Sequence, residues 1–189
     1  MRGLESYAQS VYTKENQENR PEVFRLPITL TRFADEPHFD RLPVQILRCA
    51  LTVPPNDRVY AQGQLCRTDE AVYARIWTFE SAPAPETRLE AVFTGAGHTL
   101  TAAATIGGDA SLALDGAPIE GKLTAYLFSG EDLQGIYAGA VLAIDADTFF
   151  GAFGQAPDAP APEIKVNLLR RGAYVSSLAP EGESIPLNV

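Results

Sequence analysis

The stretch that decides the fold is RVYAQGQLCRTDEAVYARIWTFESAPAPETRLEAVF, residues 58–93. Apolar and polar residues alternate over residues 59–65 and again over residues 72–79, which is the period-2 pattern of a strand with one buried face. The short polar sequence RTDE, residues 67–70, separates the two segments and predicts a tight turn. After a Pro-rich crossing, residues 88–93 predict a third strand. The stretch therefore predicts an antiparallel hairpin followed by a further strand.

A pairing of Cys66 with Ala71 closes the predicted hairpin and fixes which side chains share a face. In this register the opposed pairs are Tyr60 with Trp77, Gln62 with Arg75, and Gln64 with Tyr73. Because opposed residues of an antiparallel pair lie on the same face, these six side chains form one aromatic and polar surface. The opposite face is small and apolar and is the predicted core face; it carries Val59, Ala61, Gly63, Leu65, Val72, Ala74, Ile76 and Thr78.

Short segments of strand character, separated by Gly-rich and Pro-rich turns, continue along most of the chain. They span residues 23–33, 44–53, 98–106, 110–114, 123–128, 136–144 and 164–169. Residues 129–132 are predicted to form a loop, and Asp145 or Asp147 is predicted to cap a short helix that ends at Phe153. This spacing predicts an all-β fold, an antiparallel β-sandwich with one short helix.

The chain length of 189 residues fits a single domain. We interpret residues 1–20 as a polar N-terminal lead and residues 21–189 as one β-sandwich domain. The segment that follows the Pro-rich residues 155–163 is too short for a core of its own. Residues 164–169 are the last clear strand in the sequence, and the tail from residue 179 is predicted to be loosely held.

The formal net charge of −9 argues against a nucleic-acid partner and against an anionic membrane surface, because the chain has no basic stripe to bind phosphate groups. The sequence has no run of 18 apolar residues that would predict a membrane-spanning helix. Residues 1–20 lack the apolar centre of a signal peptide, so the cytoplasm is the expected compartment. In that compartment Cys49 and Cys66 are expected to be reduced, buried thiols.

Several segments in the same order resemble a known family. They are FDRLP (39–43), VYAQGQL (59–65), AVYARIWTFESAP (71–83) and ETRLEAVF (86–93). Together they are similar to the carbohydrate-binding module family 9-like domain, with a resemblance that covers roughly residues 35–155. The resemblance implies a β-sandwich that holds sugars on aromatic platforms with polar side chains beside them. Phe39 departs from the family's pattern, in which a Trp is expected, and so do the Ala and Thr residues after Gly97.

The aromatic and polar face of the hairpin has the chemistry of a ligand platform. The apolar face of a sugar ring can stack on Trp77, Tyr60 or Tyr73, while Arg75, Gln62 and Gln64 can bind hydroxyl groups. Arg75 also lies between Tyr73 and Trp77 in the sequence, which favours a cation–π stack. The alternative is that the same face is covered by the rest of the chain or by a partner subunit.

The sequence does not predict an enzyme, a metal site or a cofactor. His38 and His98 are the only histidines, and neither has the neighbours of a nucleophilic triad. Glu80 and Glu86 are separated by two prolines, and we interpret them as a solvated loop edge rather than a glycosidase pair. The predicted function is a non-catalytic binding module for a small carbohydrate. The alternative prediction is a structural or interaction protein whose aromatic face forms a homo-oligomer or partner interface.

Overall fold

The fold is described from a computed structural model of the chain. The structure describes residues 30–49, 59–79, 83–132, 135–155, 164–172, 176–177 and 185–187. The predicted polar lead at residues 1–20 lies outside these ranges, as do most of the first predicted strand and the Pro-rich segment at residues 156–163. Within these ranges, no helix is long and apolar enough to span a membrane.

Strands dominate the described residues. In chain order the strands are β1 (Thr31–Arg32), β2 (Gln45–Cys49), β3 (Val59–Arg67), β4 (Ala71–Thr78), β5 (Arg88–Gly95), β6 (His98–Thr105), β7 (Ala110–Leu114), β8 (Ala117–Pro118), β9 (Leu123–Asp132), β10 (Gly135–Asp145), β11 (Ile164–Arg171), β12 (Ser176–Ser177) and β13 (Ile185–Leu187). A 3-10 turn spans Phe39–Arg41, and the α-helix α1 spans Ala146–Ala152. The predicted all-β class with a short helix is therefore confirmed.

The strands form two layers, and one short strand near the C-terminal end of the sequence pairs with both of them. One layer has the order β8-β7-β6-β5-β11, and the other has the order β2-β3-β4-β10-β9. Strand β12 pairs with β11 of the first layer and with β2 of the second, so it links them. Strand β13 pairs with β11 along the same edge as β12 does, but at the start of β11. All pairings are antiparallel except that of β1 with β3, which gives the predicted antiparallel sandwich.

The core lies between the layers and follows the alternation of each strand. Its small residues permit a close approach of the two layers: a side chain at Gly63 of β3 would collide with Leu168 of β11. From the hairpin, the buried members are Ala61, Leu65, Val72, Ala74 and Ile76, as the sequence predicts. From the opposite layer they include Leu89, Ala91, Phe93, Leu100, Ala102, Ala104, Val166 and Leu168. Burial of these apolar side chains is the main term that holds the layers together.

Helix α1 closes one end of the sandwich, and Asp145 caps it. The Asp145 side chain accepts a hydrogen bond from the Thr148 backbone N–H at 3.2 Å, which satisfies one of the N–H groups that a helix start leaves free. Phe149 packs edge-to-face against Phe93 of β5, with 4.9 Å between the ring centroids. Phe150 and Phe153 are also buried in the core. The predicted helix and its cap at Asp145 are therefore confirmed.

Two hairpin turns use backbone conformations that most residues avoid. Ala96 and Gly97 both have positive φ, at 49° and 84°, and so do Asp115 and Gly116, at 52° and 81°. Two consecutive positive φ values are the requirement of the type I′ turn, which suits the twist of antiparallel strands. Asp115 also accepts hydrogen bonds from His98 Nδ1 and from the Thr99 backbone N–H, both at 2.8 Å. These bonds, that of His98 first, lower the pKa of the Asp115 carboxyl group.

Three expectations from the sequence are wrong. The hairpin register is shifted by two residues: Gln62 lies opposite Trp77, and Gln64 lies opposite Arg75. The last registered pair is Arg67 with Val72 instead of Cys66 with Ala71, so the connecting segment is residues 68–71 instead of residues 67–70. Residues 129–132, predicted to form a loop, continue strand β9 because β10 pairs with them as far as Asp132. The segment at residues 164–169 is not the last strand, since part of the tail forms β13 against β11.

The two cysteines lie in neighbouring strands, as predicted, but far apart along them. Cys49 follows Arg48, which lies opposite Val59, and Cys66 lies seven residues further along β3. Since Cys49 is one residue further away still, at about 3.3 Å per residue the Cα atoms are roughly 25 Å apart, well beyond the reach of a disulfide. Cys66 is a buried free thiol, and burial raises its pKa from 9.0 to about 12. The side chain of Cys49 lies outside the described part of the structure.

Candidate functional site

The candidate site is the outer face of the layer that contains the β3–β4 hairpin. We call it the aromatic face. Antiparallel pairing sets the side chains in rows across four strands. One row consists of Gln62, Trp77, Gly139 and Phe128, and the next consists of Gln64, Arg75, Val141 and Tyr126. The register differs from the predicted one, but a shift of two residues leaves every hairpin side chain on its predicted face.

Arg75 lies at the centre of this face, inside a group of three aromatic rings. Its guanidinium carbon Cζ is 4.9 Å from the ring centroid of Trp77 and 4.9 Å from that of Phe128. The ring of Phe39 completes the group, with its centroid 5.5 Å from the same carbon. All three distances lie within the range at which an aromatic face attracts a cation. The predicted cation–π stack of Arg75 with Trp77 is present, and two further rings contribute to it. We call this group the arginine box.

Gln64 holds one wall of the arginine box in place. Its Nε2 amide donates hydrogen bonds to the carbonyl oxygens of Phe39 at 2.8 Å and Leu42 at 3.1 Å. These two carbonyls bracket the 3-10 turn, so the amide fastens the turn to strand β3. The Oε1 atom accepts a long contact of 3.4 Å from Arg75 Nη1. Because it fastens the 3-10 turn to β3, Gln64 keeps the Phe39 ring beside the guanidinium group of Arg75.

The other predicted site residues lie on the same face with different exposure. Trp77 is only 7% exposed, and the guanidinium group of Arg75 lies over its ring. Gln62 is buried and has partners of its own, while Tyr73 and Arg75 are half-buried. Tyr60 lies in β3, but its side chain is outside the described part of the structure. The assignment of these six residues to ligand binding remains a prediction.

The structure adds aromatic side chains that the hairpin sequence could not include. Tyr126 of β9 is 59% exposed and lies two strands from Arg75, which corresponds to roughly 10 Å between their Cα atoms. Phe128 and Tyr137 are half-buried on the same face, with 6.3 Å between their ring centroids. The signal for Tyr126 and Phe128 was the alternation of Thr124, Tyr126 and Phe128 along one strand.

Two glycines make room for these rings. A Cβ atom at Gly139 would come within 2.6 Å of Phe128 Cζ and of Trp77 Cβ, so Phe128 lies against the bare backbone of β10. A Cβ atom at Gly130 would come within 2.7 Å of Tyr137 Cζ, so the Tyr137 ring covers that position. A ring that leans over a glycine in the neighbouring strand protects the backbone and gains contact area.

A cleft of about 370 Å³ lies at the edge of the sandwich. Its walls come from the turn after β6 and from the paired strands β9 and β10. The lining residues are Ile106, Leu127, Phe128, Ser129, Ala138 and Gly139. The volume is within the usual range for a small-molecule site. Leu127, Ser129 and Ala138 alternate with Phe128 and Gly139 along their strands, so their side chains lie on the other face of the sheet and the sheet separates the cleft from the arginine box.

The described residues contain no group of three or more His, Cys, Asp and Glu side chains that could hold a metal ion. His98 is exposed at the start of β6, and its Nδ1 atom is engaged by the Asp115 carboxylate. His38 packs edge-to-face against Phe33, with 5.2 Å between the ring centroids. Each histidine therefore has a structural contact, and neither lies in the arginine box.

Comparison with known proteins yields a likeness in fold. The sequence profiles of known families do not match the chain, and no curated protein matches it. One similar solved structure is a "putative carbohydrate-binding protein" from Bacteroides uniformis, with a TM-score of 0.53 and 12% sequence identity. The match covers 79% of this chain and 83% of that chain. This likeness establishes a shared fold.

Two further similar structures are carbohydrate-binding module family 9 domains from Caldicellulosiruptor kristjanssonii. The structure in complex with cellotriose has a TM-score of 0.45 and 11% identity, and the match covers 79% of this chain and 81% of that chain. The structure in complex with glucose has a TM-score of 0.43 and 10% identity, with 78% and 85% covered.

Proposed function

We propose that this protein is a non-catalytic carbohydrate-binding module whose ligand lies on the aromatic face, between the arginine box and Tyr126. The observation that carries the proposal is the combination on one face of a half-buried arginine and an exposed aromatic ring. Sugars are bound by such combinations, because the ring stacks on the apolar face of the sugar while N–H donors bind its oxygen atoms. The fold neighbours named for carbohydrate binding support the same class of ligand.

In this proposal the residues of the face have different tasks. Tyr126 supplies the stacking surface, because its side chain is the most exposed of the described rings on this face. Arg75 supplies the hydrogen-bond donors. The rings of Trp77 and Phe128 contact its guanidinium group and hold it in place. Gln64 acts on the ligand through Phe39 and Arg75, because its amide donors are engaged by the 3-10 turn.

A binding screen with one variant and one matched control tests the proposal. Neutral and acidic oligosaccharides are titrated into the wild-type protein by calorimetry, and any ligand found is titrated into Tyr126→Ala. We expect this variant to bind at least about tenfold more weakly, a loss of about 1.4 kcal/mol. The control is Ile136→Ala, which removes an equally exposed apolar side chain from the opposite face of the neighbouring strand. If no sugar binds, or if both variants bind like the wild type, the proposal is wrong.

A second candidate function follows from the edge of the sheet. Tyr126, Leu127 and Ile136 are large apolar side chains that are exposed on the β9–β10 hairpin. Tyr126 lies on the aromatic face, whereas Leu127 and Ile136 lie on the other face, so the hairpin presents apolar surface on both of its sides. Exposed apolar surface marks protein interfaces as well as ligand sites. For an interface between copies of this chain, sedimentation of the wild type would give a dimer mass, and Tyr126→Ala or Leu127→Ala would return the protein to a monomer. A wild-type protein that is monomeric at high concentration contradicts this alternative.

A further inference from the structure

The environment of Arg75 differs from that of the ion-paired arginines of this protein. The other arginines whose ion pairs are described each contact a carboxylate: Arg32 contacts Asp69, and Arg88 and Arg171 share Glu90. Among the described residues, no carboxylate lies within ion-pair distance of Arg75, although the chain has 24 acidic residues. Its side chain instead contacts the three rings of the arginine box.

The contacts described for Arg75 engage few of its hydrogen-bond donors. A guanidinium group carries five N–H donors in one plane. The described contact of these donors is the one to Gln64 Oε1, and at 3.4 Å it is at the outer limit of a hydrogen bond. Aromatic rings attract the cation but accept little from its in-plane N–H groups. A half-buried arginine with this environment is arranged to receive a planar anion.

We propose, on the basis of the function proposed above, that the ligand is an acidic sugar whose carboxylate binds Arg75. A carboxylate matches the fork of the guanidinium group and can accept two parallel hydrogen bonds from it. The rings hold the guanidinium group in position before the ligand arrives, so less side-chain entropy is lost on binding. The approximate 10 Å between the Cα atoms of Arg75 and Tyr126 lets a sugar ring stack on Tyr126 while its carboxylate faces Arg75.

The net charge of the chain narrows the ligand class further. At a formal charge of −9 the protein repels long polyanions, and the single arginine of the box offers a place for one carboxylate. We therefore assign the site to a short oligosaccharide with a uronic acid residue rather than to a highly sulfated or phosphorylated polymer. Arg75 is then the residue that decides between acidic and neutral sugars.

The test compares two ligands that differ only at their carboxyl groups. Trigalacturonic acid and its methyl ester have the same sugar rings, but the ester has no carboxylate. We expect calorimetry to show at least about tenfold tighter binding of the acid by the wild-type protein. Arg75→Gln is expected to bind acid and ester equally. Arg75→Lys keeps the positive charge without the planar fork, so it is expected to retain only part of the preference for the acid.

Controls separate the failure of this inference from the failure of the proposed function. Arg32→Gln removes a cation that is paired with Asp69 and should leave the preference for the acid unchanged. If neutral sugars and the ester bind as tightly as the acid, Arg75 does not select a carboxylate, but the carbohydrate-binding function stands. If Arg75→Gln melts like the wild type and still prefers the acid, the assignment to Arg75 is wrong. If the wild type binds none of the sugars, both proposals are wrong.

Discussion

Trp77 and Gly139 lie directly opposite each other in the β4–β10 pair, and their backbones leave no space for a side chain at residue 139. A Cβ atom there would meet Trp77 Cβ and Phe128 Cζ, both at 2.6 Å, and also the backbone oxygen of Ile76. Real Cβ atoms do not approach other heavy atoms this closely, so all three contacts would have to be relieved. Phe128 can shift the far end of its side chain, whereas relief of the contacts with Trp77 Cβ and the Ile76 oxygen requires the paired backbones of β4 and β10 to move apart.

The first prediction concerns Gly139→Ala. We expect a loss of about 1–3 kcal/mol in the free energy of unfolding, together with displacement of Phe128 from the arginine box. Chemical denaturation measures the first effect, and weaker ligand binding reports the second. Gly151→Ala is the matched control, because a Cβ at this exposed helical position meets nothing within 4 Å. It should stabilise the protein by about 0.5–1 kcal/mol. A Gly139→Ala protein as stable as the wild type would contradict the close packing described here.

The second prediction concerns Trp77, the only tryptophan of the chain. Because it is 7% exposed, its fluorescence should be blue-shifted and poorly quenched by acrylamide in the absence of ligand. Trp77→Ala should reduce the free energy of unfolding by about 3–5 kcal/mol, the usual range for a buried large aromatic side chain. Trp77→Phe keeps a ring under Arg75 and should lose much less. Red-shifted emission that acrylamide quenches freely would show that this ring is open to solvent.

The third prediction concerns Gln64, whose amide spans two backbone carbonyls of the 3-10 turn. Gln64→Leu removes both donors, so the carbonyls of Phe39 and Leu42 lose partners in a poorly solvated place. We expect a cost of about 1–3 kcal/mol and faster hydrogen exchange in residues 39–42. Thr124→Ala, an exposed change on the same face, should alter neither quantity. Unchanged exchange in Gln64→Leu would mean that other contacts hold the turn.

The fourth prediction concerns pH and Cys66. Its pKa in the folded protein is about 12, above the ordinary value of 9.0, because burial disfavours the thiolate. The folded state therefore holds the proton more tightly than the unfolded state. This contribution to stability is complete below about pH 9 and is lost as the pH rises toward 12, by up to about 1.4 kcal/mol per pH unit.

Cys66→Ala provides the reference for this alkaline effect, since other groups also titrate above pH 9. The difference in unfolding free energy between wild type and Cys66→Ala should shrink as the pH rises through this window. The native thiol should also react with a thiol reagent only after denaturation. A difference that stays constant from pH 7 to 11, or rapid labelling of the native Cys66, would contradict the buried thiol.

The hairpin shows which features of the fold the sequence can specify. Alternation assigns Ala61, Leu65 and Ile76 to the core because side-chain direction along a strand is a local property. The same pattern cannot specify the register, because a slip of two residues returns every side chain to its own face. The pairing of Gln64 with Arg75 instead of Tyr73 is therefore invisible to periodicity. The Asp145 cap was predictable because its partner lies three residues away.

The amino-acid composition of residues 129–132 led to the wrong prediction of a loop. Ser129, Gly130, Glu131 and Asp132 are residue types typical of turns, but all four pair with residues of β10. The ring of Tyr137 over Gly130 supplies the packing that the glycine itself lacks. Both contributions depend on the neighbouring strand, so local propensity could not predict them.

The candidate site could be predicted only in its central strands. Gln62, Gln64, Tyr73, Arg75 and Trp77 come from one hairpin, and alternation places them on one face. Phe39 reaches Arg75 from a 3-10 turn far earlier in the chain, and Phe128 reaches it from a strand that is two positions away in the sheet. These contacts depend on strand order, which the sequence pattern does not specify.

Strand β11 pairs with β5 along its whole length, so Arg88 meets Arg171 and Thr94 meets Lys165. Contacts between such distant parts of a chain form slowly, because a long loop must close before they give any stability. During synthesis, strand β5 emerges from the ribosome long before its partner β11 exists. Its apolar face and one hydrogen-bonding edge stay exposed for that interval, which is the condition under which nascent β-strands aggregate. The sandwich therefore completes its folding only when its last strands arrive, and we expect its yield in a cell to depend on chaperones and on the rate of translation.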